Sequence, residues 1–292
     1  MALYDLCALA DVKMWLGRSD SGSDAMLSAL IARTSRQIYS WLQRGLILPR
    51  TVTEVRDGTG GAAMVLRQWP VVSVSSLVIE DVTIPQAPAI SGSAVPFQGF
   101  GFSNNGMPGS GWTLETWDGT PPGRPQTLSL NNYSFGLSFP GAGNAQNTQI
   151  VYQAGYQISA EPQTVTSGSA AVLAPYGAWA SDCGVTYADG TALVAVTSAP
   201  AIGQYQLTPD APGSYTFNAG DDGAAILIGY GFVPADLADA CIELVSERFK
   251  YSQRIGEKTH SLGGNETVSF DNSRLTPLIA AMLQPYRQVL PI

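Results

Sequence analysis

The chain has 292 residues, a net charge of −8 and only 13% charged residues, with a mean hydropathy of +0.07; it is apolar enough to fold and long enough for two or three packing units. No run approaches the roughly 18 unbroken apolar residues of a membrane span, and Met1 to Asp5 lack the basic and apolar regions of a signal peptide, so the expectation is a soluble protein made and held in a cytoplasm. Between Gln68 and Ala235 ten acidic residues face one basic residue, Arg124, and such a segment excludes a DNA-gripping role, because phosphate affinity rests on Lys and Arg.

The N-terminal section predicts helices. Leu9 to Leu16 places Leu9, Val12 and Leu16 on one face and stops at Gly17. Residues 19–24 form a polar loop with good N-cap residues. From Ala25 to about Arg44, Leu27, Leu30, Ile31, Ile38, Trp41 and Leu42 recur at three- and four-residue spacing, which predicts an amphipathic helix.

From Thr51 the period changes to two. Thr51 to Arg56 alternates, Asp57 to Gly61 reads as a turn, and Met64 to Leu66 reads as the return strand of a hairpin. Val71-Val72, Val74 and Leu77-Val78-Ile79, then Val82 to Ile84 after a turn at Glu80-Asp81, complete a β meander. Residues 85–148 are rich in Gly, Pro, Ser and Asn, with short strands at Trp112 to Trp117 and Tyr133 to Phe135. An echo links Tyr133–Phe135 and Ile150–Tyr152 with Tyr215–Phe217 and Ile226–Ile228. It is either a duplicated hairpin or convergence of β composition, and convergence is favoured. Residues 160–231 read as a small all-β module without a basic residue.

Helical period returns at Pro234, a residue suited to a first helical turn. Asp236 and Asp239 lie near the start and Arg248 and Lys250 near the end, the order the helix dipole prefers. Leu237, Cys241, Leu244, Val245 and Phe249 form the inner face. Gln253 to Asp271 is a polar arm containing Gly263-Gly264. Thr276-Pro277 starts a last helix, interrupted at Pro285. The expected fold is α+β: a helical bundle formed by the N- and C-terminal helices, with a large β-rich insertion between them. The expected division is 1–50 with 232–292 as helical core, 51–159 as β meander and loop-rich region, and 160–231 as insertion module.

Nothing in the sequence assembles into catalytic chemistry. The one histidine, His260, lies in a polar stretch without a second histidine for a zinc site. Cys7, Cys183 and Cys241 are far apart, odd in number and without C-x-x-C spacing, which argues against a disulfide framework or zinc site; Cys241 reads as a small buried thiol. Asp221-Asp222 and Glu80-Asp81 read as turn residues. There is no P-loop, H-E-x-x-H, G-x-S-x-G or EF-hand pattern. The expectation is no enzyme, no cofactor and no metal.

Two end segments resemble the tailed-bacteriophage head–tail connector (adaptor) family. The first runs from Leu9-Ala10-Asp11-Val12-Lys13-Met14-Trp15-Leu16-Gly17 through Tyr39-Ser40-Trp41-Leu42 to Val55-Arg56-Asp57-Gly58 and Leu66-Arg67-Gln68-Trp69-Pro70-Val71. The second runs from Gly229-Tyr230-Gly231-Phe232-Val233-Pro234 through Arg254-Ile255-Gly256-Glu257-Lys258 and Ser261-Leu262-Gly263-Gly264 to Leu283-Gln284-Pro285-Tyr286-Arg287. Together they span about half the chain, and the departure from the family pattern is the extra module 160–231. The resemblance implies a virion neck subunit, assembled in the host cytoplasm. It implies a self-associated ring, a dodecamer in the family's usual form, docked on the portal protein above and on a head-closure (stopper) or tail protein below. DNA would pass through its lumen unbound, and no membrane is involved. Partner contacts are expected in the arm and C-terminus, at Arg254, Lys258, His260, Leu262, Val268, Phe270, Tyr286, Arg287, Leu290 and Ile292. The alternative is a virion binding or decoration protein whose aromatic, β-rich insert recognises a glycan or another surface.

Overall fold

A computed structural model describes residues 4–87, 111–116, 120–131, 138–141, 146–209, 211–252, 259–261, 267–269 and 275–288. The chain divides into two compact units: Met1–Leu48 with Tyr156–Val289, and Pro49–Gly155 with Leu290–Ile292.

The first unit begins with α1 (Leu9–Trp15), whose Asp11 carboxylate accepts from the Ala8 amide at 3.3 Å and closes its first turn. Gly17, at φ 65°, ends it. Helix α2 (Asp24–Leu42) buries Leu27, Ile31, Ile38 and Leu42 along the stripe that the spacing predicts. Gln43 then takes the left-handed conformation at φ 56°, and the Arg44 amide closes back on the Tyr39 carbonyl at 3.2 Å.

The second unit is built of two sheets. Strands β1 (Arg50–Arg56), β3 (Val71–Ile79), β4 (Val82–Ile84) and β7 (Thr148–Ala154) form one in the order β1-β7-β3-β4; β2 (Ala63–Val65), β5 (Gly111–Leu114) and β6 (Thr127–Asn131) form the other in the order β2-β6-β5. The expected β1–β2 hairpin is therefore not formed. β1 pairs with β7 and β2 with β6. The turn after β1 is captured by a distant segment instead: Gly60 N–H donates to the Pro140 carbonyl at 3.1 Å, Phe139 N–H to Gly61 at 2.8 Å, and Gln146 N–H to the Asp57 carboxylate at 2.7 Å. A Cβ on Gly58 would stand 2.1 Å from the Pro140 oxygen, so only glycine admits this approach. The Glu80-Asp81 turn between β3 and β4 does form, with φ of 48° and 65°, the left-handed pair of a type I′ turn. Met64, Leu77, Leu128, Phe139, Ile150 and Tyr152 make the core of this unit, each at most 1% exposed. Each such side chain contributes about 1.5–3 kcal/mol by leaving water.

Residues 157–234 return to the first unit as two further sheets. One has the order β10-β14-β8, from β8 (Gln157–Thr164), β10 (Gly177–Tyr187) and β14 (Ala225–Pro234). The other has the order β11-β12-β13-β9, from β9 (Ser169–Ala171), β11 (Val194–Ala195), β12 (Gln204–Leu207) and β13 (Ser214–Phe217). Tyr215–Phe217 and Ile226–Ile228 thus lie in different sheets and are not a duplicated hairpin; Tyr133–Phe135, the start of the other half of that echo, lies outside the described residues.

β14 runs straight into α3 (Ala235–Tyr251), with Pro234 at the N-cap, Asp236 in the first turn and Arg248 and Lys250 in the last. Strands β15 (Thr259–Ser261) and β16 (Thr267–Ser269) pair antiparallel within the arm. Helix α4 (Pro277–Leu283) is capped by the Thr276 hydroxyl and followed by a 3-10 turn, Gln284–Tyr286, that holds Pro285.

The expected α+β helical bundle is overturned. The described residues contain sixteen strands in five sheets and four helices, two of them seven residues long. The terminal helices do meet: the Arg248 guanidinium donates to Thr34 Oγ1 at 3.4 Å and to Gln37 Oε1, and Cys241 Sγ lies 3.5 Å from Ser35 Oγ. They lie in the same compact unit as two β-sheets and do not form a bundle that frames an insertion.

Candidate assembly surface

The C-terminal segment is fastened around one aromatic ring. Tyr156 is fully buried, and its amide donates to the Ile47 carbonyl at 2.8 Å while its carbonyl accepts from Phe232 at 3.1 Å. The rings of Phe232 and Tyr286 pack on it at 5.8 and 6.0 Å. The buried Arg44 guanidinium lies 5.6 Å from the ring centroid and donates to the phenol oxygen at 3.4 Å. Burial pushes the Tyr156 phenol up to about 12. Tyr286, in turn, donates to Asp236 Oδ2 at 3.1 Å in the first turn of α3. Gln288 N–H donates to the Leu42 carbonyl at 2.9 Å, and the Arg287 guanidinium lies 5.4 Å from the Trp41 ring centroid. Residues 286–288 are therefore held by both main chain and side chains.

This geometry sorts the residues expected at partner contacts. Tyr286 is 1% exposed and acts within its own chain as a core group, which corrects its reading as a contact residue. Arg287 is exposed. His260 and Val268 are paired positions in the β15–β16 backbone register. Arg254, Lys258, Leu262, Phe270, Leu290 and Ile292 lie outside the described residues.

The β-rich segment of the first unit hides much of its acidity. Tyr230 donates to Glu161 Oε2 at 2.5 Å, and Glu161 Oε1 accepts from the Leu173 amide at 2.6 Å and from Gln163 at 2.9 Å. Asp182 accepts from Tyr205 at 2.6 Å and from Tyr215 at 3.2 Å, and Tyr215 accepts from the Trp179 indole at 3.1 Å. Asp221 accepts from Tyr187 at 2.6 Å. Burial, and next the carboxylate acceptor, raise the Tyr205 and Tyr230 phenols, so these protons stay on oxygen. Each acid here is a structural acceptor, which its place in the sequence did not reveal. Asp221-Asp222 closes a 3-10 turn as expected, with Asp222 accepting from the Gly168 amide at 2.6 Å. Among the described residues no group of three or more His, Cys, Asp or Glu side chains is arranged to hold a metal ion, and no described helix is long and apolar enough to cross a membrane.

Several large apolar side chains remain at the surface. On α1, only Val12 is fully buried, while Met14 and Trp15 are 78% and 62% exposed. Leu9, Ala10, Lys13, Met14 and Arg18 line an open depression of about 550 Å3. On the β-rich segment, Leu173, Ile202 and Val194 are 79%, 69% and 60% exposed. The sequence signal for α1 was the offset of Met14 and Trp15 from the face that Val12 defines.

No family model and no curated protein matches the chain. Among solved structures it is similar to a chain described as the neck of a native GTA particle computed with C12 symmetry, with 13% identity, a TM-score of 0.36, and coverage of 100% of this chain and 98% of that one.

Proposed function

We propose that this chain is a structural, non-catalytic head–tail adaptor subunit of a phage-like particle, self-associating into a ring that binds a portal above and a head-closure or tail protein below, with DNA passing through its lumen. The observation that supports this reading most is the meeting of the two segments that carry the adaptor resemblance. Leu9–Leu42 and Gly229–Arg287 are far apart in sequence, yet Arg248 bonds Thr34 and Gln37, and Gln288 bonds Leu42. The joint thus brings helical parts of both segments together although β structure separates them in sequence. The near absence of Lys and Arg between residues 68 and 235 also suits a conduit that must release phosphate.

The test is native mass measurement of the purified chain, alone and mixed with the portal protein from the same genome. A closed ring, or a multi-copy complex that appears with portal, is the expected result. A monomer indifferent to portal would remove the proposal, and glycan or surface screening of the protein would then follow.

A further inference from the structure

Two exposed faces of the first unit carry opposite charge, and each is studded with apolar groups. One is on α1 and α2. Met26, Ala29, Arg33, Arg36 and Ser40 are all exposed and recur at three- and four-residue spacing, so they form one outward stripe of α2. Arg33 and Arg36 have no acidic partner among the described residues; the one acid of α2, Asp24, is held by Lys13 at 2.8 Å. That ion pair brings the end of α1, with Met14 and Trp15 exposed, to the first turn of α2, where Met26 is exposed.

The other face is one end of the β-rich segment. Val194 N–H bonds the Gly203 carbonyl at 3.1 Å, next to Ile202. Ile202 in turn lies over Gly220, where a Cβ would stand 2.7 Å from its Cδ1. Gly220 is in the turn that carries Asp221 and Asp222, and the Tyr187–Gly190 turn that carries Asp189 is tied to it by the bond from the Tyr187 hydroxyl to Asp221 at 2.6 Å. Val194, Ile202, Asp189 and Asp222 are exposed, and the segment from 156 to 231 has no Lys or Arg.

From this complementarity we infer that the occupant of the α1–α2 face is a second copy of this chain, presenting its Val194–Ile202 end. Trp15, Met14 and Met26 meet Val194 and Ile202, while Arg33 and Arg36 meet Asp189 and Asp222. An exposed Trp beside Arg is the composition that carries binding energy at interfaces, and charge pairing at the rim sets orientation and partner choice. The two faces differ, so the contact is heterologous: each copy uses one face to the left and the other to the right. Such a contact propagates, and it closes into a ring when the rotation permits. The inference rests on the ring reading and names the surfaces that build it.

Charge exchange tests it. R33E/R36E and D189K/D222K exchange the charges that meet across the contact; the second pair gives up only the bonds that the Thr191 amide donates to Asp189 and the Gly168 amide donates to Asp222. Each variant alone is expected to run as a monomer under conditions, portal included, where the wild-type chain is multimeric, with at least a tenfold loss of association. Mixed in equal amounts, they are expected to reassemble, since the acidic α2 face of one variant now meets the cationic end of the other. Misfolded variants would not recover on mixing. If either variant assembles alone like wild type, or if both stay monomeric when mixed, the inference is overturned while the ring reading stands. A wild-type chain that stays monomeric with portal overturns both.

Discussion

The Cys7 sulfur lies 3.5 Å from the Cys241 sulfur, across 234 positions of sequence, and both side chains are buried. Cys7 donates to Cys241, whose sulfur also lies 3.5 Å from the Ser35 hydroxyl; Ser35 in turn accepts from the Leu6 amide at 3.0 Å. The pair therefore pins the segment before α1 to α3 and α2. The hydrogen bond to Cys241, and then burial, hold the Cys7 thiol well above its ordinary range, so it stays a protonated, unreactive thiol at neutral pH.

A maleimide reagent is expected to modify only the exposed Cys183 in the native protein, and all three cysteines once the chain is unfolded. Intact mass after labelling reads the number of adducts directly. Rapid native labelling of Cys7 or Cys241 would mean that the segment before α1 detaches from α3.

The Glu161 carboxylate supplies acceptors to Tyr230, to Gln163 and to the Leu173 amide, and it is 7% exposed. Its replacement by Leu leaves the buried Tyr230 hydroxyl without its acceptor and removes two part-buried bonds, at a cost of about 2–3 kcal/mol. Tyr230→Phe removes one hydroxyl from the same node and is expected to cost about 1 kcal/mol. Denaturant titration of both variants checks the order. Equal effects would mean that Glu161 matters only through Tyr230.

Alkaline stability follows from the tyrosines. Tyr39, Tyr152, Tyr205, Tyr215, Tyr230 and Tyr286 are all raised above the ordinary 10.0, chiefly by burial. In the unfolded chain these phenols lose protons near 10.0, while the folded chain keeps them. Above that pH the folded state binds more protons, so stability falls as pH rises. The contribution is complete below 10.0 and disappears as pH climbs through the raised folded values. Tyrosinate absorbance of these six is expected to appear together with the loss of circular dichroism. Their ionisation near pH 10 in an intact fold would contradict the burial.

Helix positions were legible because their periodicity is local: Leu27, Ile31, Ile38 and Leu42 define one face within a single segment. Strand existence was legible in the same way at Thr51 to Arg56. Strand partnership was not. β1 and β2 look like a hairpin until Phe139, Pro140, Gln146 and Asn147 enter, and Asp57 finds its partner 89 positions away. The mainly β architecture was underweighted for a related reason, since strands such as Ser169–Ala171 and Val194–Ala195 are too short to display a period. Of the candidate contact residues, Tyr286 was expected at a partner contact as part of the C-terminal segment. Its ring turns inward on Tyr156, and no local pattern encodes that.

The clamp around Tyr156 separates structural from contact roles in the C-terminal segment. Tyr286→Ala removes a fully packed ring, and the expected loss of stability is about 3–5 kcal/mol. Tyr286→Phe keeps the ring and loses only the bond to Asp236, at about 1 kcal/mol. Arg287 is exposed and its guanidinium lies over the Trp41 ring, so Arg287→Ala is expected to shift stability by less than about 1 kcal/mol. If Arg287 contacts a partner, as the adaptor reading holds, its variant loses portal-dependent assembly at unchanged melting temperature. Tyr286→Phe, by contrast, assembles normally at a slightly lower one. Thermal melts paired with native mass on the three variants separate these outcomes. An assembly defect in Tyr286→Phe without a stability change would return that phenol to the contact surface.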